Sequence, residues 1–194
     1  MTRTKKAIDT KEHIRECAIE LFKKADYKDV TLLHICEASL ITKRTFYYHF
    51  ESKSDIIFDL MDDLGKKAEG ILEIAALQQS NVKTLWALMS VYSIGASKYG
   101  PKIMQQYYIH LLEGSDADFP YSAYLYNTAV EVVALAQNTG EIPDYDTPEN
   151  ITYLLYHSFR SVGITWASQG GKTDLIEDFR RVFAITLHID SHSF

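Results

Sequence analysis

The spacing of apolar residues is the feature that most constrains how this chain folds. Along almost all of the 194 residues they recur at intervals of three and four positions, the period of an α-helix. The first such stripe contains Ile14, Cys17, Ala18, Leu21, Phe22 and Ala25. No segment alternates apolar and polar residues in the way that a half-buried strand requires. We therefore predict an all-α fold of about nine helices.

Capping and helix-breaking residues predict where these helices begin and end. Thr10, Thr31, Thr42 and Ser52 are expected to start the first four helices, the fourth running to about Leu77. The later starts are expected at Ser80 or Asn81, Pro101, Tyr121, Glu149 and Asp174, with a loop over 114–120. Thr139-Gly140 and Gln169-Gly170-Gly171 are the expected breaks. We predict two domains: residues 1–52, containing three helices, and a larger helical domain over residues 53–194.

Composition indicates the compartment and excludes some classes of protein. The two cysteines, Cys17 and Cys36, cannot form a disulfide framework and lack the spacing of metal ligands. No apolar run approaches the roughly 20 residues that span a bilayer, and the polar N-terminus is unlike a signal peptide. We therefore expect a cytoplasmic protein with no membrane partner, no metal and no cofactor.

Residues 30–53 carry the most specific functional pattern. They read VTLLHICEASLITKRTFYYHFESK, which predicts a short helix, a tight turn and a second short helix. This is the order of a helix-turn-helix, whose second helix enters the DNA major groove by its N-terminal residues. Ile35, Ala38, Ile41 and Phe46 are expected to form the small core that fixes the angle between the two helices.

The same segment resembles the DNA-binding domain of the TetR family of bacterial transcriptional regulators. The matching positions are Val30-Thr31, Ile35-Cys36, Ile41-Thr42, Thr45-Phe46-Tyr47, His49-Phe50 and Ser52-Lys53, and the resemblance covers about residues 8–60. One position departs from the family pattern: Leu40 stands where the turn usually has glycine. A positive φ there would cost energy, so the turn could instead adopt a different dihedral angle.

The resemblance implies which residues contact DNA. They are Thr31, Thr42, Lys43, Arg44, Thr45, Tyr47, Tyr48, His49 and Lys53. Arg44 is the best candidate to read a base, because a guanidinium can bond both acceptors of guanine. Lys53 resembles the family's phosphate-binding lysine. For Tyr48, packing against the first helix is an equally good interpretation.

The charge distribution supports a DNA-binding N-terminus. Residues 1–53 contain 11 Lys plus Arg and 8 Asp plus Glu, a net charge of +3, although the whole chain has −6. The remaining residues therefore carry −9. Arg3, Lys5 and Lys6 add a basic tail that either follows phosphates or is simply solvated.

The resemblance also implies that the second domain binds a small-molecule inducer. Candidate pocket residues combine an aromatic or polar tip with helical spacing: Trp86, Tyr92, Tyr107, Tyr108, His110, Tyr124, Asn127, Tyr153, His157, Arg160 and Trp166. Taken singly, an aromatic residue at helical spacing more often belongs to the core than to a pocket. Arg160 is hypothesised to orient an anionic or carbonyl-bearing ligand.

A homodimer follows from the same resemblance. The last two helices carry apolar stripes, and in the family such a pair packs against its two-fold mate. The expected dimerisation residues are Phe159, Val162, Trp166, Leu175, Phe179, Val182 and Phe183. Packing within the subunit would also explain these stripes. A two-fold dimer is the usual way to read two half-sites about 34 Å apart.

The sequence thus favours a transcriptional regulator, expected to act as a repressor that binds a palindromic operator and leaves it when an inducer binds. An enzyme is disfavoured, since the catalytic patterns H-E-x-x-H and G-x-S-x-G, the P-loop and the dinucleotide-binding glycines are absent. The sequence leaves open the alternative of a DNA-binding protein that has no inducer and acts through partner proteins.

Overall fold

A computed structural model describes residues 3–75, 80–113, 123–192 and 194. These residues form nine α-helices, one 3-10 turn and no strand, so the predicted all-α class is confirmed. The elements are α1 (Arg3–Lys24), the 3-10 turn (Tyr27–Asp29), α2 (Leu32–Ala38), α3 (Lys43–His49), α4 (Lys53–Ala75), α5 (Asn81–Tyr99), α6 (Pro101–Glu113), α7 (Ala123–Asn138), α8 (Pro148–Ser168) and α9 (Leu175–Leu187).

Most of the predicted helix starts are confirmed by their caps. The side chains of Thr31, Thr42, Ser80 and Asp174 each accept a hydrogen bond from a backbone N–H in the first turn of the helix that follows. The prediction for α1 was wrong, because this helix begins at Arg3 rather than after Thr10. The intervening residues include Lys and Ala, which favour helix, and no Pro or Gly. The predicted loop over 114–120 and the end of α4 near residue 77 lie outside the described residues.

Helices α1, α2 and α3 pack around a small apolar core. Ile14, Phe22, Ile35 and Phe46 are almost completely buried in it. Ala38, which we expected in this core, is exposed instead. Helix α2 ends there, and the buried position beside it is occupied by Ser39, whose hydroxyl donates to the Ile35 carbonyl at 2.6 Å.

Helix α4 joins this N-terminal unit to the remaining helices, and two glycines let it approach α5 closely. A Cβ at Gly95 of α5 would lie 2.4 Å from Leu64 of α4, and a Cβ at Gly65 would lie 3.3 Å from the hydroxyl of Tyr92. Each helix therefore places a side chain where the other has only a hydrogen atom. A larger residue at Gly95 would therefore require the two helices or Leu64 to shift.

Helices α8 and α9 pack face to face through aromatic side chains. The rings of Phe159 and Phe179 lie edge to face with centroids 4.2 Å apart. Five of the seven expected dimerisation residues are buried within the subunit: Phe159, Trp166, Leu175, Phe179 and Phe183. Val162 and Val182 are only half-buried. Most of the two apolar stripes thus forms the core of this chain, because α8 and α9 must first pack on each other and on α5 and α6.

Glu141, in the loop after α7, anchors the start of α5. Its carboxylate accepts hydrogen bonds from the Ser80 hydroxyl at 2.6 Å, the Asn81 side chain at 2.6 Å, and the backbone N–H groups of Asn81 and Val82 at 3.0 and 3.2 Å. These bonds lower the pKa of Glu141 to about 2, overcoming the opposing effect of burial. A negative charge here also faces the positive end of the helix dipole.

None of the helices among the described residues combines the length and apolar character that crossing a membrane requires.

Candidate nucleic-acid interface and effector cavity

The candidate recognition helix, α3, is held by one buried face. Phe46 is fully buried and packs against Phe50, with ring centroids 5.8 Å apart. The Thr42 hydroxyl caps the first turn by accepting from the Thr45 N–H at 3.1 Å, and the two threonine hydroxyls lie 2.9 Å apart. Thr42 and Thr45 therefore stabilise the first turn of α3. This is the turn that also contains the predicted DNA-contacting residues Lys43 and Arg44.

The opposite face of α3 is open to solvent. Lys43 and Arg44 are exposed in its first turn. Tyr47 is 58 % exposed and Tyr48 76 % exposed, so Tyr48 does not pack against the first helix. Tyr48 instead contacts the ring of His49 edge to face, with centroids 4.9 Å apart. Burial and the nearby Lys11 ammonium lower the pKa of His49, which favours a neutral ring at neutral pH.

The turn between α2 and α3 keeps the left-handed conformation that glycine usually provides. Leu40 has φ 54° and is 91 % exposed, and the N–H of the next residue, Ile41, donates to the Cys36 carbonyl at 3.0 Å. The alternative dihedral that the sequence left open is therefore not adopted. A non-glycine residue in this conformation costs about 1–2 kcal/mol.

Lys53, the first residue of α4, is used inside the fold. Its ammonium donates to the carbonyl oxygens of Tyr27 at 2.6 Å and Val30 at 2.9 Å, and lies 4.0 Å from the centre of the Tyr27 ring. Partial burial lowers its pKa. The side chain thus ties the 3-10 turn to the start of α4.

A shallow groove runs beside Lys53 between the starts of α2 and α4. It is lined by Lys28, Val30, Thr31, Leu32, Tyr47, Glu51, Ser52 and Lys53. Helix starts present free backbone N–H groups, which favour a phosphate. Lys28 is exposed here and was missed by the sequence reasoning, since it lies before the helix-turn-helix. Lys28 becomes a candidate phosphate contact only because it lines this groove. The side chains of Arg3, Lys5 and Lys6 lie outside the described residues.

Helix α6 contacts the N-terminal unit at a junction centred on Tyr27. The Tyr27 hydroxyl and His110 Nε2 are 3.2 Å apart, and the Lys102 ammonium pairs with the Asp26 carboxylate at 3.1 Å. Phe58 of α4 packs edge to face on Tyr107 of α6. His110 and Tyr107, expected to line a pocket, thus lie between the two parts of the molecule.

A small cavity lies among α4, α5, α6, α8 and α9. It is lined by Met61, Tyr92, Ala96, Met104, Tyr108, Gly163, Trp166, Leu175 and Phe179. Three of the eleven predicted pocket residues are therefore brought together: Tyr92, Tyr108 and Trp166. The space of about 10 Å³ has room for roughly one water molecule. The Trp166 N–H donates to the Thr173 carbonyl at 3.1 Å, which leaves the two phenol hydroxyls as the polar side-chain groups of the lining.

The other predicted pocket residues lie elsewhere. Trp86 packs on Phe183, and its ring is also covered by the Arg180 guanidinium at 4.7 Å. The exposed residues are Tyr124, Asn127, Tyr153 and His157. The rings of the last two are in contact, with centroids 4.0 Å apart and planes tilted by 40°. Arg160 is half-buried on α8 and is not among the cavity residues. Among the described residues, no group of three or more His, Cys, Asp or Glu side chains could hold a metal ion.

These features define a helix-turn-helix followed by a larger set of packed helices, and comparisons with known proteins agree. The model of a family described as bacterial regulatory proteins, tetR family, matches residues 14–60. No curated protein matches the sequence.

Solved structures share the fold along most of the chain. A TetR-family transcriptional repressor, FadR from Thermus thermophilus in complex with lauroyl-CoA, superposes with a TM-score of 0.67 at 17 % identity, covering 91 % of this chain and 93 % of that one. FadR from Bacillus subtilis in complex with stearoyl-CoA gives 0.64 at 16 % identity, covering 91 % and 97 %. The regulatory protein TetR from Rhodobacter sphaeroides gives 0.61 at 16 % identity, covering 90 % and 97 %. The chain therefore has the fold of a TetR-family DNA-binding transcriptional regulator, as the sequence predicts.

Proposed function

We propose that this protein is a cytoplasmic transcriptional repressor that binds a palindromic operator as a homodimer and releases it when a small molecule binds. The observation that carries the DNA-binding part is the geometry of α3. Its buried face is fixed by Phe46, and its capped first turn presents Lys43 and Arg44 to solvent. A rigid helix with exposed donors at its N-terminus matches the way a helix-turn-helix reads the major groove.

The contacts to DNA divide into two kinds. Arg44 and Lys43 are proposed to read base edges, with Thr42 and Thr45 at the helix start. Tyr47, Tyr48, His49, Thr31 and Lys53 are proposed to bind the phosphate backbone together with Lys28. An ammonium has three N–H donors, and the carbonyls of Tyr27 and Val30 take two from Lys53. Lys53 can therefore offer one donor to a phosphate while it stays anchored.

DNA selection with the purified protein tests this proposal. We expect recovery of one palindromic site; failure to select any site would contradict it. Arg44→Ala should then relax one base position in each half-site by about 1–3 kcal/mol. Lys28→Ala is the matched control, because loss of a phosphate contact should weaken all sequences about equally and reduce the salt dependence by about one counterion.

For the homodimer, the proposed contact is the surface of α8 and α9 that faces away from the core. It carries Leu154, Val162, Val182 and Ile185, of which Ile185 is 67 % exposed, beside the small polar residues Ser158, Ser161 and Thr165. Small side chains allow two helices to approach closely. Sedimentation equilibrium should show a dimer for the natural chain and a monomer for Ile185→Arg. If Ile185→Arg is still a dimer, the contact between the two copies lies on another surface.

The part of the proposal that concerns a ligand is supported by the acyl-CoA complexes of the two FadR proteins. The same fold is thus compatible with binding small molecules. The alternative is a DNA-binding protein that has no inducer and acts through partner proteins. A thermal-shift screen with lipids, aromatic compounds and drugs separates the two, because a ligand of the native state must raise the melting temperature.

A further inference from the structure

A row of alternating charges joins α1 to α4. The Lys11 ammonium and the Arg15 guanidinium, one turn apart on α1, both bond the Asp59 carboxylate of α4, Arg15 at 3.2 Å. Arg15 also lies 3.8 Å from Asp63, whose other carboxylate oxygen accepts from Lys67 at 2.6 Å. We call these five residues the charge ladder: Lys11, Asp59, Arg15, Asp63 and Lys67.

The centre of the charge ladder is shielded from solvent. The side chains of Arg15 and Asp59 are only 15 % and 17 % exposed. Exposed ion pairs contribute little because water and salt screen them, whereas a shielded pair is screened less. Burial alone would raise the pKa of Asp63, but the hydrogen bond from Lys67 and the positive charge of Arg15 lower this pKa. The carboxylate of Asp63 is therefore favoured in its charged form.

The order of the charges favours one register of α1 on α4. On each helix the members of the ladder are four residues apart, so they lie on the same face. A shift of α1 by one helical turn, about 5.4 Å, towards the end of α4 would bring Arg15 beside the like charge of Lys67. The opposite shift would bring Lys11 beside Asp55, whose carboxylate already accepts from two backbone N–H groups before α4. Apolar contacts have no such direction.

The charge ladder lies between the part of the chain that carries α3 and the helices that follow. Helix α1 shares the buried core of α2 and α3 through Ile14 and Phe22. Lys11 also lies 5.2 Å from the centre of the Phe50 ring, directly after α3. On the other side, α4 packs closely on α5 at Gly95. A change in the register of α1 on α4 would therefore change where α3 points relative to the later helices.

We propose that Asp59 is a positioning residue for operator binding, which acts through Lys11 and Arg15 to hold α1 at one register on α4. In a two-fold dimer this register would fix the separation of the two recognition helices, which must match half-sites about 34 Å apart. The role in operator binding rests on the proposed function; the register does not. Fixing a register is the best-attested use of shielded ion pairs.

Two substitutions disrupt the ladder with different effects on charge. Asp59→Asn removes a negative charge, so by electrostatics alone it should strengthen binding to all DNA. Arg15→Lys keeps the charge but loses the planar guanidinium that reaches two carboxylates. Asp62→Asn is the matched control, because Asp62 is exposed on the same helix and lies outside the ladder. Circular dichroism verifies that each variant is folded.

The first readout is affinity for the selected operator, for operators with one base pair inserted or removed between the half-sites, and for unrelated DNA. In Asp59→Asn and Arg15→Lys, the ratio of operator affinity to unrelated-DNA affinity should fall about tenfold, within the usual range for coupling between two sites. The preference for the natural spacing should also shrink, because a looser α1 lets α3 follow displaced half-sites. Asp59→Glu restores the carboxylate and should regain part of both.

The second readout measures the register without DNA. Spin labels at Glu20→Cys on α1 and Glu69→Cys on α4, both exposed positions, report the distance between the helices by pulsed electron paramagnetic resonance. The background is Cys17→Ser with Cys36→Ala, and labelled chain is diluted with unlabelled chain. The intact ladder should give one narrow distance distribution, and Arg15→Lys a broader one.

The outcomes separate this inference from the proposed function. Distance distributions that stay narrow in both Arg15→Lys and Asp59→Asn overturn the register. An unchanged spacing preference in these two variants overturns the role in operator binding. An equal fall of the affinity ratio in Asp62→Asn does so too, since charge alone would then explain it. If the distances broaden but the natural chain selects no DNA site, the register holds and the proposed function fails.

Discussion

Replacement of Glu141 by Gln should destabilise the protein in a way that depends on pH. The carboxylate accepts four hydrogen bonds at the start of α5, and its pKa falls from an ordinary 4.5 to about 2. A tenfold change in proton affinity is worth about 1.4 kcal/mol, so this change corresponds to at most about 3 kcal/mol. Since Glu141 is partly exposed to solvent, which screens charges, we expect a loss of about 1–2 kcal/mol for Glu141→Gln.

The sign of the pH dependence follows from the lowered pKa. The stabilisation by the Glu141 carboxylate is fully present above pH 4.5, because the carboxylate is ionised in both the folded and the unfolded chain. It is lost progressively as the pH falls from 4.5 to about 2, where the folded protein also takes up the proton. The difference in stability between natural protein and Glu141→Gln should therefore be constant at neutral pH and shrink through this window.

Urea unfolding followed by circular dichroism at a series of pH values measures this difference. Glu131→Gln is the matched control, because Glu131 is exposed on α7 and its replacement should change the free energy of unfolding by less than about 0.5 kcal/mol. A Glu141→Gln variant as stable as the control at pH 7 would refute the reasoning. A difference that grew as the pH fell would refute it equally, since it would require a raised pKa.

Three further substitutions test single contacts. Leu40→Gly should stabilise the protein by about 0.5–1 kcal/mol in urea unfolding. Glycine relieves the strain of the left-handed conformation, and the entropy it loses on folding costs less than that strain. Leu40→Ala keeps the strain and should not stabilise the protein. Lys53→Met should lower the free energy of unfolding by about 1–3 kcal/mol, since the carbonyls of Tyr27 and Val30 lose their donor. An unchanged urea midpoint would show that water replaces the ammonium as the donor. Gly163→Ala should lower the melting temperature, because its Cβ meets the Tyr108 hydroxyl. Adding Tyr108→Phe should restore much of the loss, as the next ring atom lies 3.2 Å away.

The helix-turn-helix formed by α2 and α3 was predicted from sequence almost completely. Both helices are short and each begins with a threonine cap whose partner lies three residues away, so the signals are local. The family match over residues 14–60 agrees. Leu40 illustrates the limit: the sequence identified a conflict between leucine and the turn, but only the surrounding fold decides whether the chain accepts the strain.

The helices that follow the helix-turn-helix were predicted less well because the contacts that position them are not local. An apolar stripe at helical spacing shows that a helix face is covered, but not by what. The stripe on α8 and α9 that suggested a dimer contact is covered mainly by α5 and α6 of the same chain. Of eleven candidate pocket residues, Tyr92, Tyr108 and Trp166 meet in one cavity, since they come from three helices that only the packing brings together.

The sequence by itself thus determined the helical class, the caps and the helix-turn-helix, because these depend on residues within about four positions of one another. The tertiary structure decided what lies far apart along the chain: that Lys53 bonds the carbonyl of Tyr27, and that Glu141 caps a helix beginning 60 residues earlier. It also decided that the cavity is uncharged, because the five helices around it turn their charged side chains elsewhere. Such contacts depend on how helices pack, and helix packing admits several angles for one pattern of apolar residues.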